Sequence, residues 1–423
     1  MSQVFLKKIK IGKVRHLKNI EIPLSETERK HLILTGKNGS GKTSIINELA
    51  SFIEYLVSSG FTQKDIIERN LEYSQNEFTR LYESSKKFYA KNDSDDSLTM
   101  IPLSDSMEKI DLNISLYKSE LQIWNTASMV CDYNLLRYNY KKGDFIIAFY
   151  PAGRKSKNDI PSSIEKVAIA DNYGIKDTPG TKFIKYMVAQ KAIQAFAQQK
   201  GDITRSQEIE DWFVSFEKIL KQIFDDQNIK LDFDIDSFRF SILQSGHEPF
   251  DFNTMSDGYS AVFNIINDLI MRTEKKGTSV EGIVLIDEIE THLHLELQKS
   301  ILPFLTGMFP NIQFIVTTHS PFILNSINDA VIFDLENKIL VKNGMGNLPY
   351  EGIVEGYFRA DRLSQELRTK FERYKELSAK ENLTDEDWAE IGDLETYLDE
   401  IPDYLAIDIT SEYSRLKLEN ENK

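Results

Sequence analysis

The feature that most constrains the fold of this 423-residue chain is a glycine-rich segment near its N-terminus. Residues 36–43 read GKNGSGKT and match the phosphate-loop pattern G-x-x-x-x-G-K-[ST] at every fixed position. An apolar strand pattern precedes them at His31–Thr35, and a helix pattern follows at Ser44–Ser58. The glycines let backbone N–H groups curl around a phosphate at the positive end of that helix. The segment therefore predicts a nucleotide-binding α/β domain, and a chance glycine-rich turn is the alternative.

A phosphate loop of this kind implies a role for each of its residues. The Lys42 ammonium would lie between the β- and γ-phosphates of ATP, and the Thr43 hydroxyl would bind Mg²⁺. ATP and Mg²⁺ are therefore the predicted cofactors. The predicted nucleotide-binding residues of the loop are Gly36, Asn38, Gly39, Ser40, Gly41, Lys42, Thr43 and Ser44.

A pair of carboxylates, Asp287 and Glu288, follows a run of four aliphatic residues, Ile283–Ile286. Such a run is typical of a strand buried on both faces of a parallel sheet, and ligands bind at the carboxyl edge of such sheets. Asp287 is the predicted protein carboxylate for Mg²⁺. Glu288 is the predicted catalytic base that orients and deprotonates the attacking water. A buried strand that merely ends in an acid pair is the alternative, which the phosphate loop disfavours.

Strand and helix patterns alternate along the rest of the chain. Strands are predicted at Phe5–Ile11, Ile20–Pro23, Ile110–Tyr117, Asn134–Tyr140 and Phe145–Tyr150, and a hairpin at Ile229–Asp234 and Phe238–Leu243. Helices are predicted at Thr62–Lys91, Thr181–Gln199, Ser206–Asp226 and His292–Phe309. Strand, helix and strand follow one another from Gly282 to Thr317, which implies a parallel sheet with helices on its faces.

Composition and charge exclude several classes of protein. No apolar run approaches the roughly 18–20 residues of a membrane span, and the first residues lack the apolar core of a signal peptide. Cys131 is the only cysteine, so no intramolecular disulfide is possible and the cytoplasm is the predicted compartment. The net charge of −15 disfavours a protein that coats nucleic acid with its whole surface. Met1–Lys30 nevertheless carries eight basic and three acidic residues, so local DNA contact stays an open alternative.

Three further motifs resemble those of ABC-type ATPases in the SMC, RecF and OLD-like lineage. Residues 253–260 (NTMSDGYS), followed by a hydrophobic helix pattern, resemble the signature loop of these proteins. Residues 287–294 (DEIETHLH) resemble the acid pair and D-loop, and residues 317–321 (TTHSP) resemble the segment with the switch histidine. The motifs also occur in the family's order, and the resemblance covers about Val4–Asp334. Within the lineage, the chain is most similar to the Septu-type ATPase components of bacterial anti-phage systems.

The resemblance implies roles for residues outside the phosphate loop. Ser256 and the N–H of Gly258 would contact the γ-phosphate held by a second subunit, so that ATP joins two heads. His319 would contact the γ-phosphate from the same subunit and is a predicted catalytic residue. Residues 14–19 are similar to the phenylalanine-arginine motif of RecF-like heads, and Arg15 is either a phosphate contact or a surface charge.

Some residues depart from the family pattern or lie outside it. Tyr259 follows Gly258 where the family continues with glutamate or glutamine, which leaves the strength of the contact with the second subunit open. Arg154, at the end of the segment YPAGR, is interpreted as a surface arginine, with a nucleotide contact as the alternative. His292 and His294 lie two positions apart and do not share a helix face, so no zinc site is predicted there.

The resemblance implies an α/β fold with an ABC-ATPase head, in which a mixed sheet with a phosphate-loop core is joined by an antiparallel β lobe. The predicted head covers 1–350, with a helical insert at about 60–100 and a helical signature lobe at about 180–275, and an acidic helical region covers 351–423. No long coiled-coil pattern separates the phosphate loop from the signature loop. No strand-borne acidic triad follows His319, so no nuclease activity is predicted for this chain.

Two functions of different classes fit these observations. The first is an ATPase subunit of an anti-phage defence complex, which forms ATP-dependent dimers or higher oligomers and regulates a separate nuclease subunit of the HNH or TOPRIM type. The second is a RecF-like repair or recombination ATPase that acts directly on DNA. They differ in whether DNA stimulates ATP hydrolysis without a partner protein. A scaffold that binds ATP and scarcely hydrolyses it is a third alternative.

Overall fold

A six-stranded sheet, a three-stranded sheet, a hairpin and several helices make up the described part of the chain. The computed structural model describes residues 3–91, 101–154, 158–348, 352–353, 365–380, 382–399 and 412–418. The strands are β1 (Lys8–Val14), β2 (Leu17–Pro23), β3 (His31–Thr35), β4 (Ala127–Val130), β5 (Phe145–Tyr150), β6 (Lys230–Asp234), β7 (Arg239–Leu243), β8 (Glu281–Ile286), β9 (Ile312–Thr317), β10 (Ala330–Asp334) and β11 (Ile339–Val341). The helices are α1 (Lys42–Val57), α2 (Lys64–Lys91), α3 (Ile101–Thr126), α4 (Tyr133–Lys141), α5 (Phe183–Lys200), α6 (Ile203–Ile223), α7 (Asp257–Thr273), α8 (Leu295–Met308), α9 (Pro321–Leu324), α10 (Gln365–Ser378) and α11 (Asp385–Asp399).

The six-stranded sheet has the order β11-β10-β3-β9-β8-β5. All of its pairs are parallel except β10–β11. Strands β3 and β9 are buried along their whole length, as continuous apolar runs require when helices cover both faces of a sheet. Because β3, β9 and β8 are neighbours, the phosphate loop after β3 and the polar residues after β8 and β9 meet at one edge. The predicted mixed sheet with a phosphate-loop core is confirmed.

The three-stranded sheet has the order β2-β1-β4, and β1 pairs antiparallel with both neighbours. Its inward side chains, among them Ile9, Ile11 and Ile22, are at most 1% exposed. They belong to the same apolar core as the buried face of α1. The antiparallel β lobe predicted beside the phosphate-loop core is therefore present.

The strand predicted at Ile110–Tyr117 is wrong, because these residues lie inside the 26-residue helix α3. The strict alternation of apolar and polar residues suggested a half-buried strand. In the helix only Ile114 of the apolar set is buried, whereas Leu112 and Leu116 are 71% and 53% exposed. Helix α3 packs along α2, with Lys64 bound to Asn125 at 2.8 Å. The helical insert thus extends to Thr126, while residues 92–100 lie outside the described part.

The strand predicted at Asn134–Tyr140 is also wrong, since these residues form α4. The Asp132 carboxylate accepts the Leu135 N–H at 2.9 Å and so caps the helix. Leu136 is the side chain of α4 that is buried. A turn at residues 142–144 follows α4, with Gly143 at a φ of 76°.

A buried ion pair connects α7, which follows the predicted signature loop, with the central sheet. The Arg272 guanidinium lies 2.7 Å from the Asp268 carboxylate, and their side chains are 1% and 4% exposed. Arg272 also donates to the backbone oxygen of Ile147 in β5 at 2.8 Å. Asp268 accepts a hydrogen bond from the Tyr150 hydroxyl at 2.8 Å. Because its partners lie on both elements, the pair holds α7 against β5.

Replacing Arg272 by methionine is expected to lower the free energy of unfolding by about 3–5 kcal/mol, because Asp268 is left as an unpaired buried charge. Arg69→Met is the control, since the Arg69 side chain is 73% exposed and its loss should change stability by no more than about 0.5 kcal/mol. Urea denaturation followed by circular dichroism measures both variants. If Arg272→Met and Arg69→Met lower the free energy of unfolding equally, the buried pair does not stabilise this part of the fold.

Residues Leu348–Lys423 form a compact unit separate from Met1–Asn347. Its described part contains α10, α11 and a helical segment at 412–418. The core of this unit consists of Phe371, Tyr374, Leu377, Ile391, Leu394, Leu398 and Tyr413. Thr384 caps α11, because its hydroxyl accepts a hydrogen bond from the Asp387 N–H at 3.2 Å. Within the described residues of the whole chain, no helix is long and apolar enough to span a membrane.

Candidate nucleotide-binding site

The loop between β3 and α1 has the backbone conformation that a phosphate loop needs. Gly36, Gly39 and Gly41 have φ angles of 137°, 84° and 101°, a region that other residues rarely adopt. Helix α1 begins directly after the loop, without a side-chain cap and without an acidic residue in its first turn. Its first N–H groups therefore present positive charge to an anion. Asn38, Gly39 and Thr43 are exposed, Ser44 is half-buried, and Gly36, Ser40, Gly41 and Lys42 are buried.

The Lys42 ammonium lies over this loop. Its Nζ donates to the backbone oxygens of Gly36 at 2.7 Å and Lys37 at 3.1 Å. Burial lowers the pKa of Lys42, and the nearby carboxylates of Glu288, Glu290 and Asp287 act in the opposite direction. The structure thus brings a cation to the place where the loop would hold phosphates.

Asp287 and Thr43 lie close together although they are 244 positions apart in the sequence. The Thr43 hydroxyl lies 3.4 Å from Asp287 Oδ1, and the Thr317 hydroxyl donates to the same oxygen at 2.6 Å. Among the described residues no cluster of three or more His, Cys, Asp or Glu could hold a metal ion alone. One carboxylate and one hydroxyl suit Mg²⁺, which keeps several waters and takes further ligands from nucleotide phosphates. The residues present therefore fit a nucleotide-bound Mg²⁺.

Glu288 begins a tight turn after β8. Its φ is 45°, a left-handed conformation that costs a non-glycine residue about 1–3 kcal/mol. Its N–H donates to the Thr317 hydroxyl at 2.7 Å, and its Oε2 accepts a hydrogen bond from the Thr291 hydroxyl at 3.3 Å. Thr317 thus positions both members of the acid pair, a role that the sequence motif alone did not show.

His319 lies beside Lys42, with 3.4 Å between Nδ1 and the ammonium nitrogen. Burial lowers the pKa of His319, and the positive charge of Lys42 lowers it further. The imidazole is therefore neutral at pH 7, with Nδ1 able to accept a hydrogen bond from Lys42. The backbone N–H of His319 donates to Glu290 Oε1 at 2.5 Å. Glu290, a residue of the DEIETHLH segment for which the sequence predicted no role, thus supports the backbone at His319.

The predicted signature loop leads into the N-terminus of α7. Ser256 is the N-cap residue, is exposed and makes no side-chain capping bond. A Cβ atom on Gly258 would lie 2.7 Å from the His292 carbonyl oxygen, so only glycine allows this close approach between α7 and the turn after Glu288. The Tyr259 ring contacts the rings of Phe224 at 4.2 Å and His294 at 5.9 Å, measured between centroids. The residue that departs from the family pattern therefore packs within the subunit.

Arg15 lies in the two-residue turn between β1 and β2, with a φ of 52°. A Cβ atom on Gly41 would lie 2.8 Å from a methyl carbon of Leu17 and 3.8 Å from the His16 ring. The turn is therefore next to the phosphate loop, while the Arg15 side chain is exposed.

The interpretation of Arg154 as a surface residue is wrong. Arg154 is 4% exposed, and its guanidinium donates to the backbone oxygens of Asp287 and Ile289, both at 2.8 Å. It therefore contacts the turn that contains Glu288. In the sequence, Arg154 is marked only by the segment YPAGR at the end of a strand. That segment does not indicate a contact with Asp287, which lies 133 positions away.

A family model described as "AAA domain, putative AbiEii toxin, Type IV TA system" matches residues 192–325. The "Retron Ec83 probable ATPase" of Escherichia coli is 36% identical over 148 residues, which cover 33% of this chain and 27% of that protein. "Septu protein PtuA" of Bacillus mycoides (strain KBAB4) is 25% identical over 354 residues, 80% of this chain and 41% of that protein. The chain thus matches less than half the length of each of these two relatives.

A solved structure, described as "Crystal structure of the SmcHead bound to the C-winged helix domain of ScpA", aligns with 78% of this chain and 93% of that chain. The sequence identity is 14% and the TM-score is 0.37.

Proposed function

We propose that this chain, which is similar to Septu PtuA and to the retron ATPases, binds ATP with Mg²⁺ at the phosphate loop and hydrolyses it. The observation that carries the proposal is that side chains from distant parts of the sequence lie close together. Lys42 lies 3.4 Å from His319 across 277 positions, and Thr43 lies 3.4 Å from Asp287 across 244 positions. All of them lie at the carboxyl edge of β3, β8 and β9, where parallel sheets bind ligands.

The chemistry follows from the contacts of these residues. The N–H groups of the loop and the Lys42 ammonium would bind the β- and γ-phosphates. Thr43 and Asp287 would hold Mg²⁺, which when bound neutralises charge on the phosphate oxygens. The Glu288 carboxylate would accept a proton from the attacking water. His319, neutral and next to Lys42, would contact the γ-phosphate.

We further propose that two copies of the chain form composite nucleotide sites. Ser256 is exposed at the N-terminus of α7, and its hydroxyl has no hydrogen-bond partner among the described residues of its own chain. A helix N-terminus with a free hydroxyl suits the γ-phosphate of an ATP bound to a second copy. ATP would then join the two heads, and hydrolysis would release them.

Replacing Ser256 by arginine is expected to block this contact while leaving ATP binding within about threefold, because the phosphate loop is untouched. ATP-dependent dimers should disappear, and ATPase activity should fall at least about tenfold as the composite site is lost. Ser84→Arg is the matched control, since Ser84 is an exposed serine on the insert helix α2. Size-exclusion chromatography with light scattering, with and without ATP and Mg²⁺, measures assembly. A Ser256→Arg variant that still dimerises with ATP would contradict the composite site.

The biological role that we propose is anti-phage defence, in which ATP-dependent assembly of this chain regulates a separate nuclease. The relationship to Septu PtuA and to a retron ATPase supports this proposal. We propose that the chain itself has no nuclease activity. Its described C-terminal residues, 365–380, 382–399 and 412–418, are mostly helical and offer no strand-borne acidic triad.

One experiment tests this proposal against the alternative of a RecF-like ATPase that acts directly on DNA. Molar mass is measured with and without ATP and Mg²⁺, and ATPase rates are measured with and without duplex DNA. Assembly with ATP and no response to DNA supports the regulatory subunit. Stimulation by DNA alone supports the alternative, which is favoured by the exposed cations Lys13, Arg15 and Lys18 around the β1–β2 turn. No assembly and no ATP hydrolysis would contradict both.

A further inference from the structure

Arg154 is a buried cation, and its two Nη groups donate to the backbone around the predicted catalytic base, whereas its buried Nε has no hydrogen-bond partner among the described residues. We infer that Arg154 is a positioning residue, which holds the 287–289 turn so that Glu288 points its carboxylate at the attacking water. The inference rests on the proposed ATPase function, because it assigns Arg154 a role in that reaction. This role differs from both interpretations that the sequence suggested for Arg154, namely a surface charge and a nucleotide contact.

The guanidinium contacts three successive carbonyl groups of the turn. Its Nη1 donates to the Asp287 oxygen at 2.8 Å, and its Nη2 donates to the oxygens of Glu288 at 3.3 Å and Ile289 at 2.8 Å. A fourth bond, from Nη1 to Pro151 at 3.3 Å, connects Arg154 to its own strand end. Arg154 therefore joins the end of β5 to the turn that follows the neighbouring strand β8.

The opposite side of the same turn is bonded to β9. The Glu288 N–H donates to the Thr317 hydroxyl at 2.7 Å, and the Ile289 N–H donates to the Thr317 backbone oxygen at 3.1 Å. The N–H groups of the turn are thus bonded from one side and its carbonyl groups from the other. With Glu288 in a left-handed conformation, removal of either set of bonds allows the turn to relax.

Arginine is suited to this position and lysine is not equivalent. The planar guanidinium has five N–H donors in a fixed arrangement, so it reaches several carbonyl oxygens at once, whereas a lysine ammonium is a compact point charge. Burial lowers the pKa of Arg154 to about 10, so the side chain stays cationic at neutral pH. The nearby carboxylates of Glu290, Asp287 and Glu288 act against this effect of burial on the pKa of Arg154.

The test compares Arg154→Met, Arg154→Lys and a matched control in steady-state and single-turnover ATPase assays. Arg154→Met is expected to lower kcat by about 30- to 100-fold, because a displacement of about 1 Å in a catalytic group costs on the order of 10² in rate. KM and the Kd for ATP should stay within about threefold. Arg154→Lys should restore part of kcat. Arg137→Met is the control, because Arg137 donates to the Leu56 carbonyl at 3.1 Å but contacts no residue of the acid pair.

A double-mutant cycle separates positioning from a general loss of stability. If Arg154 acts through Glu288, Arg154→Met should lower the single-turnover rate of a Glu288→Gln background by less than about threefold. If the two substitutions lower the single-turnover rate by factors that multiply in the double variant, the inference is overturned. A folded Arg154→Met variant with wild-type kcat would also overturn it. A large loss of ATP affinity in Arg154→Met would instead identify a nucleotide contact. A wild-type chain that binds ATP without hydrolysing it contradicts the proposed function, and the positioning role with it.

Discussion

Replacing Lys42 by alanine is expected to abolish measurable ATP binding, with Kd rising on the order of 10²- to 10³-fold. The buried Lys42 ammonium already donates to the oxygens of Gly36 and Lys37, so it is placed to transfer these bonds to phosphates. Loss of one partner from a buried charged contact costs about 2–5 kcal/mol, which corresponds to a rise in Kd of about 30- to 4,000-fold and includes the expected change. Isothermal titration with ATP and Mg²⁺ measures the effect.

The same loop supplies the control for this prediction. Lys37 is also a lysine of the phosphate loop, but its side chain is 81% exposed and pairs with Glu336 at 3.0 Å. Lys37→Ala should therefore keep Kd within about threefold of the wild-type value, although it removes the same net charge. Similar losses in the two variants would show that overall charge attracts the nucleotide. Wild-type affinity in Lys42→Ala would contradict the assignment of the site.

The parts of the site that could be predicted from the sequence are those in which neighbouring residues act together. The phosphate loop needs its glycines, lysine and threonine in succession, and an apolar run that ends in Asp287 and Glu288 predicts both a buried strand and a charged edge. The alternation of strand and helix from Gly282 to Thr317 predicted that β8 and β9 belong to a parallel sheet, and the resemblance to ABC-type heads implied that the phosphate loop lies in the same sheet. Local chemistry and topology thus sufficed for the central residues.

The remaining residues of the site depend on contacts between distant segments. Arg154, Thr317 and Glu290 act on the backbone of other elements, and such contacts leave no pattern in a single sequence. Helix α3 was missed for a different reason. Two of its leucines, Leu112 and Leu116, are exposed, so its apolar residues do not mark one buried helical face, and their alternation resembles that of a strand. Burial, which the sequence does not show, decides between the two periods.

Replacing Glu288 by glutamine is expected to leave ATP binding intact and to lower the single-turnover hydrolysis rate by about 10²- to 10⁴-fold, the usual contribution of a positioned base. Glutamine has nearly the same shape and keeps an oxygen that can accept the Thr291 hydroxyl, which donates to Glu288 at 3.3 Å. The turn is therefore expected to keep its conformation, so that the change removes the base and its charge.

Because the variant binds ATP and cannot release it through hydrolysis, ATP-bound dimers should accumulate and persist in light-scattering measurements, whereas wild-type dimers should dissociate as ATP is consumed. Glu296→Gln is the matched control, since the Glu296 side chain on α8 is 77% exposed and pairs with Lys299. It should behave as the wild type in both assays. Normal hydrolysis by Glu288→Gln would show that another group activates the water. Slow hydrolysis without persistent dimers would instead retain Glu288 as the base and contradict the joining of two heads by ATP, so the variant tests the two parts of the proposal separately.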